Sequence, residues 1–81
     1  MEYLAVFKAK ADPDRNFDIS YFVFKDENSF GIESFAEGKN FSEKVLIGNC
    51  GEEKAKSVAK FFAENGVHPL HIEDIISDMR F

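Results

Sequence analysis

Four side chains of this 81-residue chain combine the types and the spacing that chemistry requires: His68, His71 and Asp74, three apart in sequence, and Cys50, the single cysteine. Two imidazoles and a carboxylate are zinc ligands, and a thiolate arriving from elsewhere would complete a tetrahedral set. A thiol at the start of a helix is also a potential nucleophile, because the helix dipole lowers its pKa. Both readings meet physical objections. Pro69 pushes His68 into extended backbone, whereas His71 and Asp74 fit the cap and first turn of a helix. Zinc sites in small domains pair two separated motifs, and only one is present. A cysteine nucleophile needs a positioned base, and nothing in the sequence ties His68 or His71 to Cys50. The adjacent carboxylates Glu52-Glu53 and Glu73-Asp74 fall in first helical turns, where the dipole favours negative charge. There is no serine elbow, phosphate-cradling glycine loop or dinucleotide fingerprint. The expectation is therefore no catalytic residue, no metal and no cofactor. A small metal-dependent regulator or enzyme using His68, His71 and Asp74 is the alternative.

The elements that hold these residues explain them better. Ala55, Val58, Ala59, Phe62 and Ala63 recur at helical intervals and predict a helix over about 51–65. Asn49 with Glu52, or Cys50 with Glu53, would cap its start. Gly66 ends it in a left-handed conformation, and Pro69 blocks any continuation. A second helix over about 71–80 then begins with His71 as its cap, Glu73 and Asp74 in its first turn, and Leu70 and Ile75 as a hydrophobic staple.

Upstream, the period is two. Tyr3 to Lys10 reads as a first strand, with Tyr3, Ala5, Phe7 and Ala9 on one side and Leu4, Val6, Lys8 and Lys10 on the other. Residues 11–16, built around Pro13, read as a loop. Its acidic residues lack the glycine and the later glutamate of a calcium-binding loop. Phe17 to Lys25 and Phe30 to Glu37 form the next two strands. A two-residue turn at Glu27-Asn28 sets Val23 opposite Ile32, Tyr21 opposite Ser34 and Ile19 opposite Ala36. That register makes one face strongly apolar. The other carries Phe22, Phe24 and Phe35, interrupted by Ser20, Gly31 and Glu33, with the ring of Phe24 covering Gly31. Gly38-Lys39-Asn40 turns the chain into a fourth strand, Glu43 to Asn49.

Composition narrows the function classes. A net charge of −5 and a pI near 4.9 argue against nucleic acid, which requires a basic patch. No segment approaches the roughly 20 apolar residues that cross a bilayer, and Met1-Glu2-Tyr3 does not open a signal peptide. The lone cysteine excludes an internal disulfide framework and favours a reducing, cytoplasmic setting. Eighty-one residues make one domain, 1–81, with strands over about 2–49. Ten phenylalanines and no tryptophan place most of the burial in side chains without polar atoms.

The resulting expectation is an α+β fold: a small antiparallel sheet of about four strands followed by two C-terminal helices packed on one face. Only one face is covered in this way. The other, around Phe22, Phe24 and Phe35, is the expected interaction surface of a non-enzymatic module that binds a protein partner or itself as a homodimer. Residues Ala63 to Asp78, with Phe30-Gly31-Ile32, resemble a family of short uncharacterised proteins of Gram-positive bacteria that close on a segment like Glu-Asn-Gly-Val followed by a proline. The resemblance implies strands first and this helix-turn-helix ending last. Its members often carry threonine at the position of His68 and sometimes at that of His71, which weakens a metal role for either. It implies no activity.

Overall fold

The computed structural model describes residues 1–9, 14, 17–38, 41–48 and 51–79. Among them, four strands, β1 (Glu2–Lys8), β2 (Ile19–Asp26), β3 (Ser29–Ala36) and β4 (Phe41–Gly48), precede two helices, α1 (Glu52–Asn65) and α2 (Pro69–Met79). The strands form one antiparallel sheet in sequence order, β1-β2-β3-β4. Both helices lie on the same face, so the architecture is the expected two-layer α+β arrangement.

The β2–β3 hairpin has the predicted register, with Val23 opposite Ile32, Tyr21 opposite Ser34, Ile19 opposite Ala36 and Phe24 opposite Gly31. Glu27 carries the turn at a left-handed φ of 57°. Ile19, Tyr21, Val23 and Ile32 project from the sheet into a core completed by Ala55, Val58, Ala59, Phe62 and Ala63 of α1 and by Ile72 and Ile76 of α2. The apolar period of α1 thus does what it predicts.

The helix boundaries differ from the sequence reading in ways that have local causes. The N-cap of α1 is Gly51, at φ 86° and ψ 160°, a conformation glycine reaches without a Cβ penalty. Glu52 and Glu53 open the first turn, and no capping box is built from them. The two residues expected to cap this helix, Asn49 and Cys50, lie outside the described residues, as do Lys39 and Asn40 of the expected turn and residues 10–13, 15 and 16 of the expected loop.

At the other end of α1, Gly66 takes the left-handed conformation. Its N–H bonds the carbonyl of Ala63, and the N–H of Val67 bonds that of Phe62 at 3.1 Å, which together satisfy two of the helix's last carbonyls. Tyr21, fully buried at the centre of the sheet, donates its hydroxyl to the carbonyl of Val67 at 2.5 Å. The link between the helices is therefore bonded to the middle of the sheet.

The second helix starts two residues earlier than expected. Pro69 is its first residue, the position where a fixed φ and a missing N–H cost nothing. The proline that blocks α1 from continuing therefore begins α2. His68, not His71, is the cap: its Nδ1 accepts the N–H of Leu70 at 3.1 Å, and its carbonyl accepts the N–H of His71 at 2.9 Å. Glu73 and Asp74 fall beyond the first turn, which holds no acidic residue. The staple shifts with the frame. Leu70 is 59 % exposed, and Val67 and Ile72 take the flanking positions, both packed in the core.

Candidate interaction surface

The face of the sheet turned away from the helices is organised by register. Tyr3, Phe24, Gly31 and Leu46 form one cross-strand row, Val6, Phe22, Glu33 and Lys44 the next, and Lys8, Ser20, Phe35 and Ser42 a third. Two of these apolar residues reach the face by a route the sequence does not display. The pairing of β1 with β2 shifts between Tyr3 and Ala5, so Leu4 is the extra residue of a β-bulge. Strict alternation puts Tyr3 with Ala5 and Phe7. The bulge instead leaves Ala5 and Phe7 against the core and turns Tyr3 onto the open face, beside Val6. Leu46 arrives there from β4, directly opposite Gly31.

Tyr3, Val6 and Leu46 are 51 %, 51 % and 57 % exposed, while Phe22 and Phe35 are half-buried among them. Phe24 differs. It belongs to this face as expected, yet it is only 1 % exposed and so is a floor and not a contact. Its ring lies on the bare backbone of Gly31, where an added Cβ would stand 2.4 Å from its Cζ. The ring of Tyr3 meets it edge-on at 6.4 Å, and the Lys44 ammonium sits over it at 5.2 Å. Of the expected surface residues, Phe22 and Phe35 remain accessible, and Tyr3, Val6 and Leu46 are the ones sequence reasoning missed. No glycine or polar residue marks the bulge at Leu4, and the first half of β1 is apolar on both sides.

A recess of about 430 Å³ opens between Tyr3, Phe22, Glu33 and Phe35. The rings of Tyr3 and Phe22 meet at 68° with centroids 5.8 Å apart, forming two walls of a corner. The Tyr3 hydroxyl crosses β2 to donate to Oε1 of Glu33. This bond raises the Tyr3 pKa above its ordinary value, and partial desolvation and the carboxylate's charge act in the same direction.

The histidine cluster is arranged differently. His68 packs edge-on against Phe17 at 5.9 Å and tilted, at 41°, against Phe41 at 5.8 Å, and its Nδ1 lone pair is committed to the Leu70 N–H. His71 lies 6.3 Å from it, ring centre to ring centre, and Asp74 is exposed on α2. Among the described residues no three His, Cys, Asp or Glu side chains converge as a metal site would require; Cys50 is outside them. Nor is any helix of the described residues long and apolar enough to cross a membrane.

No protein-family model, curated protein or solved structure matches this chain.

Proposed function

We propose that the protein is a non-enzymatic interaction module of a reducing compartment that works through the open face of its sheet, and that the partner seated there is a second copy of the chain. The observation that supports this reading is the exposure of Tyr3, Val6 and Leu46 around half-buried Phe22 and Phe35 on one face of the sheet. Contiguous apolar surface of this kind marks sites of association.

The size of the face sets the strength. Four strands about 4.8 Å apart and three rows about 7 Å apart give a patch on the order of 400–500 Å², so two copies stacked face to face bury about 800–1,000 Å² in all. That lies at the lower end of specific interfaces, and each copy also carries a charge of −5. Self-association is accordingly weak, concentration-dependent and strengthened by added salt, which screens the like charges. Sedimentation velocity from micromolar to millimolar protein tests it. The expected result is a monomer–dimer equilibrium abolished by Phe22→Ser with Leu46→Ser. A strictly monomeric profile over that range, or a dimer indifferent to those substitutions, refutes the reading.

A further inference from the structure

The recess on the open face has a composition that an apolar contact alone does not need. Its walls are the rings of Tyr3, Phe22 and Phe35, and it contains one carboxylate, Glu33. Glu33 is half-buried and receives the Tyr3 hydroxyl on one oxygen. Its cross-strand neighbour is a lysine, Lys44, which would be the natural ion-pair partner. Lys44 is instead directed towards the adjacent row, with its Nζ over the Phe24 ring at 5.2 Å and 3.5 Å from Sδ of Met1. Among the described residues no cation lies within ion-pair reach of Glu33. Among the described residues a negative charge is thus held beside aromatic rings without an ion-pair partner, and the same face already carries one cation on a phenyl ring.

We propose that the recess bounded by Tyr3, Phe22, Phe35 and Glu33 binds the methylated ammonium head group of a small organic cation. Aromatic faces attract a cation within about 6 Å of the ring centre, and two walls meeting at 68° offer two such faces to one group. The volume is within the range of small-molecule sites, on the order of 300–1,000 Å³. A primary ammonium is strongly hydrated and brings three donors, while the side chains lining the recess offer it acceptors only on the Glu33 carboxylate and the Tyr3 hydroxyl. A methylated ammonium is weakly hydrated, has few donors or none, and presents methyl groups to the rings while its charge faces the carboxylate. The site is complete in one copy of the chain, so it goes beyond the reading of this face as a self-association surface and is testable on the monomer.

The probes are tetramethylammonium, choline and the neutral choline analogue 3,3-dimethyl-1-butanol, titrated into dilute protein and followed by proton NMR. The expected result is an upfield shift of the N-methyl resonance with saturable binding, and affinity for the neutral alcohol at least about fivefold weaker. Glu33→Gln weakens choline binding by about fivefold or more, and Lys44→Gln strengthens it, since Lys44, the cross-strand neighbour of Glu33, repels the ligand's charge. Far-UV circular dichroism checks that both variants are folded. Equal binding of choline and the alcohol, indifference to Glu33→Gln, or no binding of either cation overturns the proposal. None of these outcomes bears on the sedimentation test, so the two readings fail separately.

Discussion

Gly31→Ala is the substitution whose cost follows most directly from the geometry. A Cβ on Gly31 would lie 2.4 Å and 2.8 Å from Cζ and Cε1 of Phe24 and 2.6 Å from the carbonyl oxygen of Val45. The ring has little room to withdraw, because Tyr3 and Lys44 sit over it, and the carbonyl belongs to the neighbouring strand. Overpacking of a filled site costs about 1–3 kcal/mol, and contacts with both a ring and a backbone atom place this case near 3 kcal/mol. Phe24→Leu alone removes the end of the ring and costs about 1–2 kcal/mol. In the double variant the two ring contacts are gone and only the Val45 contact remains. The sum is then less than additive by about 1 kcal/mol or more. With no tryptophan in the chain, urea denaturation followed by far-UV circular dichroism is the suitable assay. Each kcal/mol moves the melting temperature of a domain this size by about 4–8 °C. A Gly31→Ala protein within about 0.5 kcal/mol of the parent, or full additivity of the pair, would refute the account of how Phe24 is seated.

Three further outcomes are expected. Ser34 is fully buried and its Oγ has no hydrogen-bond partner among the described residues; because an unsatisfied buried hydroxyl costs about 1–3 kcal/mol, Ser34→Ala raises the denaturation midpoint, and a lowered midpoint would show that the hydroxyl is bonded. Since His68 caps α2 through Nδ1, His68→Ala costs about 1 kcal/mol whereas His68→Thr retains most of the stability, and equal losses in the two variants would count against the cap. Tyr3, whose pKa the Glu33 hydrogen bond raises above its ordinary value of 10.0, ionises later in the folded chain than in the unfolded one. The stability this contributes is present below the unfolded-chain value and is lost as pH rises through the folded one. In an ultraviolet titration Glu33→Gln should bring the Tyr3 transition down, and an unmoved transition would mean that the bond does not form.

The parts of this fold legible in the sequence are those fixed by local pattern and hairpin geometry. The alternation of Ile19, Tyr21 and Val23 and a two-residue turn at Glu27-Asn28 suffice for the whole β2–β3 register. The helical period of Ala55, Val58, Ala59 and Phe62 suffices for the buried side of α1. What escaped depends on contacts distant in sequence. His68 and His71 are equally plausible caps by residue type, and the choice falls to His68 because Pro69 suits the first helical position and Val67 is bonded to Tyr21. Alternation along β1 leaves Tyr3 off the open face because a bulge changes which side a residue faces without any mark in composition, and the apolar run Val45-Leu46-Ile47 does not by itself show which of its residues faces outward. Phe24 was placed on the correct face, but its burial arises from Tyr3 and Lys44 arriving from other strands.

The bulge at Leu4 makes the recess a matter of register. Were β1 to pair with β2 in strict alternation from Ala5 outward, Leu4 would stand opposite Phe24 and Tyr3 would turn to the helix side, so the recess would lose its first aromatic wall and Glu33 its hydroxyl donor. Deleting Leu4 has the opposite result: Tyr3 and Ala5 become consecutive and keep Phe24 and Val23 as their partners, so the open face is retained while the core loses the leucine packed against it. The third ring of the recess thus depends on which residue of an edge strand is the surplus one, a property of pairing that composition does not carry.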